Sequence, residues 1–333
     1  MLNSKKIMED FEMIQVLVMV PYNNEVRADW EKRFLGKFRF IYKGVSELKK
    51  EDAVLKEAEI IIGEPPVELL TDAPNLKWLQ TTSAGVDMYT KTTGFPERAM
   101  LTNATGVYGK IISEYVLGAI LMRYRRFPEY MEQQKVNLWQ SAGPERSLEG
   151  KHVLVLGTGD IGKNIARRLR AFDSYVVGIK RTTCESVEYF QEIDTLEHLK
   201  ERLSEADIVI ACLPGTKETE GILDYEHLSL LKKDAMLLNV GRGNLIVTED
   251  LIRILNEGGL ADVILDVEET EPLPESSALW TYRNVFITPH ISGKGLGYAP
   301  ETEAKIWQLC TENLERYAKG SLLKNQVDLS AGY

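Results

Sequence analysis

Short apolar runs separated by polar, helix-favouring stretches recur along the whole chain. In the first third they are Val16 to Val20, Phe38 to Tyr42, Ile60 to Gly63, Trp78 to Thr82 and Met100 to Asn103. Each is short, and most are rich in β-branched or aromatic residues, as strands buried on both faces of a parallel sheet are. The segment IISEYVLGAILMRYRR, Ile111 to Arg126, is longer and broken only by Gly118, which predicts a buried helix joining two domains, with Ser113 to Gly118 near a hinge. After the turn-rich SAGPERSLEGK a second series follows: HVLVLG, SYVVGIK, ADIVIACLP, AMLLNVGRG, LADVILDV and NVFITPH. These six runs predict a doubly wound sheet with its ligand beyond the carboxyl ends of the strands. Pro300 to Lys319 reads as an amphipathic helix returning to the first domain. The expected architecture is therefore α/β, with a discontinuous first domain (1–104 plus 297–333) and a second over 105–296.

With 333 residues, 44% of them hydrophobic, the chain has material for two cores. A formal net charge of -10 argues against a general affinity for nucleic acid, so any anion site must be local. Cys184, Cys212 and Cys310 lie far apart, without the spacing of a metal site or a disulfide framework. Lys5 and Lys6 are followed by Glu9, Asp10 and Glu12, and the first apolar run is too short for a signal peptide. No apolar stretch approaches the roughly 18 residues that span a bilayer, so a cytoplasmic protein without membrane contact is expected.

Gly157, Gly159 and Gly162 form G-x-G-x-x-G between a predicted strand and a predicted helix. In that context the first glycine permits a tight turn, the second lets backbone approach a pyrophosphate, and the third lets the helix pack closely. An acid normally meets the ribose hydroxyls of NAD about twenty residues further on. Here Lys180, Arg181 and Thr182 end the next strand, two cations and a hydroxyl that suit a 2'-phosphate. NADP is the expected cofactor, with NAD as the second choice. The bland alternative is a solvated basic pair at a strand end.

Three later segments carry candidate chemistry, each after a predicted strand: NVGRG with Arg242, LDVEETEPLP with Asp266 and Glu271, and ITPHISG with His290. Reducing a carbonyl compound beside a dinucleotide needs an anchor for the substrate, a proton for the carbonyl oxygen and a hydride. Arg242 suits the anchor, His290 the proton, and Glu271 the far nitrogen of the imidazole. No cluster of His, Cys or carboxylates has metal-ligand spacing.

In this order, these residues resemble the D-isomer-specific 2-hydroxyacid dehydrogenases over nearly the whole chain. SAGVD at Ser83 to Asp87, LPGTKET at Leu213 to Thr219, LWTYRNVFITPH at Leu279 to His290 and NLERYAKG near the C-terminus support the match. RYRRFPEY, the basic pair and QVD narrow it towards NADP-preferring glyoxylate/hydroxypyruvate reductases. The resemblance implies a flavodoxin-like substrate domain and a Rossmann nucleotide domain with a cleft between them, and Arg242, Glu271 and His290 as catalytic residues. It implies cofactor contacts at Asp160, Ile161, Leu213, Pro214, Thr219, Val240, Gly241, Asp266 and Gly293 besides the glycines and the basic pair. Substrate contacts are implied at Ala84, Gly85, Val86, Arg242 and His290. It further implies a small 2-oxo or 2-hydroxy acid as substrate, a D product, and a homodimer paired through the nucleotide domains.

Two departures stand out. The family's Asp-Val-Phe-x-x-Glu has Glu268 in place of the aromatic, and its Ala-Glu-His is Ser113, Glu114 and Tyr115. Both are expected to alter packing and pocket shape more than the reaction. His152, His198 and His227 read as structural, and Trp78, Trp139, Trp280 and Trp307 as core or interface residues. A nucleotide-sensing scaffold or corepressor on the same fold is the competing reading. A formate- or phosphite-acting relative is disfavoured, since the family's formate enzymes pair His with Gln where Glu271 stands.

Overall fold

The computed structural model describes residues 13–50, 52–182, 186–330 and 332. Lys5, Lys6, the acids Glu9, Asp10 and Glu12, and Cys184 lie outside the described residues. By internal contact the chain divides into two units, 1–105 with 296–333, and 106–295.

The first unit holds a five-stranded sheet: β1 (Ile14–Val18), β2 (Phe38–Tyr42), β3 (Ile60–Ile62), β4 (Trp78–Gln80) and β5 (Met100–Thr102), in the order β2-β1-β3-β4-β5. All pairings are parallel. The residues of β3 and β4 are wholly buried, as the unbroken apolar runs require. The helix Pro300–Ala318 packs in this unit. Trp307 meets Trp30 edge to face at 5.5 Å, Tyr317 stacks on Trp78, and Asn313 donates to Gln80 Oε1 at 2.8 Å.

The second unit holds seven parallel strands: β6 (His152–Leu156), β7 (Tyr175–Lys180), β8 (Glu192–Thr195), β9 (Ile208–Ala211), β10 (Met236–Asn239), β11 (Asp262–Leu265) and β12 (Val285–Ile287). Their order is β12-β11-β10-β9-β6-β7-β8. The chain goes from β6 outward to β7 and β8 on one side and returns to β9 on the other. The order therefore reverses beside the carboxyl end of β6, where such sheets bind ligands.

Six of these strands coincide with the apolar runs of the sequence; β8 does not. Its sequence EIDT carries one aliphatic residue. It is held by the side chain of Arg202, which bonds Glu192 at 2.7 Å and Asp194 at 2.9 Å. The apolar helix of the sequence spans Gly109–Tyr124 and belongs to the second unit. Ile112, Val116, Ala119, Ile120 and Tyr124 repeat at helical spacing on its buried face. It crosses the helix Asp160–Arg170 so closely that a Cβ on Gly109 would stand 2.5 Å from Asp160 Oδ2. Ser113 to Gly118 lies inside this helix, which packs in the second unit's core. A short helix, Phe127–Lys135, follows; it buries no residue, so no apolar stripe announces it.

Candidate active site

The phosphate cradle is built from backbone. Gly157 follows β6, with a φ of 111° that is open to glycine and rarely to other residues. A Cβ on Gly162 would lie 1.9 Å from the carbonyl oxygen of Gly157, so only glycine lets the helix Asp160–Arg170 start this close to the turn. A Cβ on Gly159 would meet nothing within 4 Å. Gly159 thus faces space rather than packing, as a residue kept bare for a ligand does. The cradle, with the helix amides behind it, fits a dinucleotide pyrophosphate. Ile161 is half-buried against the core. The Asp160 carboxylate accepts from the Gly109 amide at 2.8 Å and from Asn164 at 3.1 Å, so the side chain ties two helices together.

Lys180, half-buried, ends β7, and Arg181 and Thr182 follow it, exposed. Glu218, in the turn after β9, is held below the usual carboxylate range by the Thr216 hydroxyl first and by the charge of Arg181 in part. The basic segment therefore lies within electrostatic reach of that turn. Leu213 and Pro214 open the turn, and buried Thr219 closes it, donating to the Pro214 carbonyl at 2.5 Å and accepting from the Thr216 amide at 2.9 Å. Val240 and Gly241 are buried at the end of β10, and a Cβ on Gly241 would be 2.8 Å from the Leu213 carbonyl. Gly293 packs on Ile112 and Tyr108 of the first helix of this unit.

Arg242 follows Gly241. Its backbone carbonyl accepts from Asn239 Nδ2 at 2.9 Å, and its Nη1 donates to the Gly241 carbonyl at 2.8 Å. Beyond it, a Cβ on Gly243 would fall 1.8 Å from the carbonyl oxygen of Glu268. The Arg242 turn and the loop after β11 are thus pressed backbone to backbone, and Gly243 permits it. The sequence reading missed this contact, since nothing in NVGRG marks its second glycine as a close approach.

His290 Nδ1 and Glu271 Oε2 are 2.9 Å apart, and Glu271 Oε1 accepts from the Glu268 amide at 3.1 Å. The His290 side chain is 53% exposed, so its ring is open to solvent on the side away from Glu271. His290 has a φ of 51°, the left-handed region that a β-carbon disfavours. The surrounding loop supplies the restraint. Buried Asp266 accepts at Oδ1 from the Thr288 hydroxyl at 2.6 Å and the Ile291 amide at 2.9 Å, and at Oδ2 from the Ser292 amide at 3.0 Å. Its backbone carbonyl takes the His290 amide at 2.9 Å.

Only 1% exposed, with both oxygens accepting from residues 288–292, the Asp266 carboxylate fixes the His290 loop. Thr288 spends its proton on Asp266, so the Tyr115 hydroxyl, 2.6 Å from Thr288 Oγ1, is the donor in that pair. Burial pushes the Tyr115 phenol up to about 12, which keeps that proton in place. The Tyr115 departure therefore joins the fixture of this loop.

Ala84, Gly85 and Val86 lie in the first unit, after β4. The turn is fixed from behind by Glu64, which accepts from the Thr82 amide at 2.6 Å and the Ser83 amide at 2.9 Å, while Asn103 Nδ2 donates to the Ala84 carbonyl at 3.0 Å. Val86 is buried.

His152 stacks on Tyr175, His198 pairs with Asp194 and His227 with Asp224, each away from Arg242 and Glu271 in the contacts they make. Trp78 and Trp307 are core residues; Trp280 is half exposed and Trp139 wholly so. Among the described residues no group of His, Cys, Asp and Glu is placed to hold a metal, no helix is long and apolar enough to cross a membrane, and Cys212 and Cys310 are free thiols.

A glycine cradle at the reversal point of a parallel sheet, with an imidazole–carboxylate pair and an arginine on loops at the same edge, defines a dinucleotide-dependent oxidoreductase. Residues 117–292 match the family model for the NAD-binding domain of D-isomer-specific 2-hydroxyacid dehydrogenases. The chain belongs to that family, whose members are oxidoreductases of 2-hydroxy acids and bind NAD or NADP. It is 32% identical over 289 residues to a glyoxylate reductase of Thermofilum pendens, a match covering 83% of this chain and 80% of that one. A family protein from Aeromonas salmonicida superposes with a TM-score of 0.85 at 34% identity, covering 95% of this chain and 99% of the other. One from Xanthobacter autotrophicus, solved with NADPH and MES, gives 0.80 at 29% identity, covering 96% and 99%.

Proposed function

We propose that this chain is an NADPH-linked reductase of small 2-oxo acids, glyoxylate, hydroxypyruvate or a larger one, and the reverse dehydrogenase of the D-2-hydroxy acids. The observation that carries this reading is the 2.9 Å contact of His290 Nδ1 with Glu271 Oε2 on a loop held by Asp266. With Nδ1 engaged, Nε2 is the nitrogen left to serve the substrate. In reduction His290 passes its Nε2 proton to the carbonyl oxygen, and in oxidation it takes the proton back. Glu271 steadies the imidazolium. Arg242 offers its planar fork to the carboxylate and carbonyl oxygens and stabilises charge on the latter as it grows. Bound NADPH supplies the hydride. Lys180, Arg181 and Thr182 favour the 2'-phosphate, and a related structure from Xanthobacter autotrophicus that carries NADPH supports the preference. Ala84, Gly85 and Val86 keep their implied role in receiving the substrate through backbone amides, and a homodimer is the proposed assembly.

His290→Gln tests the reading. Loss of a general acid reduces turnover by about 10²- to 10⁴-fold. The expected result is a fall of that size in NADPH oxidation by glyoxylate, with the NADPH dissociation constant within about twofold of the parent. Unaltered turnover would remove His290 from the chemistry.

A further inference from the structure

Glu268, three residues before Glu271, occupies surroundings unlike those of an ordinary loop carboxylate. Its Oε1 is buried and has no hydrogen-bond partner among the described residues. Its amide donates to Glu271 Oε1 at 3.1 Å, and the second oxygen of Glu271 holds His290 Nδ1. Glu268, Glu271, His290 and Asp266 line one cavity of about 460 Å³, walled otherwise mainly by apolar side chains such as Leu273, Trp280 and Ile287.

The charged and titratable groups around Glu268 come from every loop packed there. Glu269 and Glu271 share its own loop, Asp266 directly follows β11, and His290 comes from the loop after β12. Arg242 sits on the turn whose Gly243 presses on the Glu268 carbonyl. A carboxylate with one oxygen shut away from water and donors is costly, so the group keeps its proton further up the pH scale. Burial pushes Glu268 up to about 7, and the charges of Glu271 and Glu269 push the same way.

We infer that Glu268 is a positioning residue whose ionisation adds a negative charge to the cavity that holds the Glu271–His290 pair and so strengthens that pair's hold on the His290 proton. The inference rests on the reading of His290 as the proton donor. Below neutrality Glu268 carries its own proton, and Glu271 alone faces the imidazolium. Above it, a second carboxylate stands in the same cavity, where apolar walls screen charge less than water does. The added charge favours the imidazolium, which is the form that donates during reduction. An aromatic at this position has no proton to lose and cannot act in this way.

The experiment is the pH dependence of kcat/KM for NADPH oxidation with glyoxylate, from pH 5.5 to 9.5, in the parent chain and in Glu268→Gln. Glutamine keeps the shape and removes the ionisation. The alkaline limb of the variant is expected about half a pH unit lower, so that the variant-to-parent rate ratio falls about threefold between pH 6 and pH 9. A ratio constant across the range would overturn the inference, since a change of packing alone shifts rates at every pH alike. Glu268→Leu is the second variant, and the same alkaline loss is expected of it.

A parallel titration of the His290 ring by NMR, without substrate, keeps the two claims apart. A lower midpoint in Glu268→Gln supports the coupling whether or not the chain reduces glyoxylate; an unchanged midpoint overturns it. Failure of His290→Gln to lose turnover would overturn the functional reading instead.

Discussion

The cradle at the end of β6 and the His290 loop after β12 lie on the same sheet edge but are made in opposite ways. The cradle is backbone: its geometry depends on what three residues lack, and Gly157 and Gly162 answer to packing while Gly159 answers to open space. The His290 loop is side chain: a left-handed histidine is restrained by one buried carboxylate that accepts from Thr288, Ile291 and Ser292. A site for a polyanion needs converging amides, which any sequence with the right glycines supplies. A site for proton transfer needs one ring in one orientation, which demands bonds from residues far apart in sequence.

Removing the fixture of the His290 loop should have the largest effect on that contrast. Asp266→Ala strips three donors of their acceptor and is expected to lower stability by about 3 kcal/mol in urea unfolding, since bonds to charged groups contribute roughly 1.5–3 kcal/mol each and are not additive. The cradle glycines themselves remain in that variant. A loss under about 1 kcal/mol would mean that the loop is held by other contacts.

Within the cradle the glycines should separate. Gly162→Ala forces a Cβ onto the Gly157 carbonyl and is expected to lower stability by about 2 kcal/mol, the scale of overpacking, and to weaken NADPH binding. Gly159→Ala meets no neighbour, so its melting temperature should stay near the parent's while NADPH affinity falls about tenfold. Equal behaviour of the two would dissolve the distinction between packing and ligand glycines. Arg181→Ala is expected to have a smaller effect, raising the NADPH dissociation constant about fivefold, or roughly 1 kcal/mol, and leaving NADH within about twofold. An equal change for both cofactors would show that Arg181 does not read the phosphate.

The sequence displays these regions unequally, for the same physical reason. Unbroken apolar runs mark strands buried on both faces, so β6, β7 and β9 to β12 are visible in it, and G-x-G-x-x-G is visible because its spacing is local. β8 is hidden, since EIDT is held by Arg202 rather than by aliphatic burial. The helix Phe127–Lys135 is hidden because it buries nothing. Arg242, Glu271 and His290 can be picked out as residue types after strands. The commitment of Asp266 to a loop 22 to 26 residues away, the Tyr115–Thr288 link and the orphaned oxygen of Glu268 depend on contacts that no local pattern encodes.

The most direct measurement is the initial rate of NADPH and NADH oxidation, side by side, against glyoxylate, hydroxypyruvate, 2-oxoisocaproate and phenylpyruvate. Turnover with at least one of these acids, faster with NADPH than with NADH, is predicted. Silence with every acid under both cofactors, despite measurable NADPH binding, would contradict the reductase reading and leave a nucleotide-sensing scaffold on the same fold.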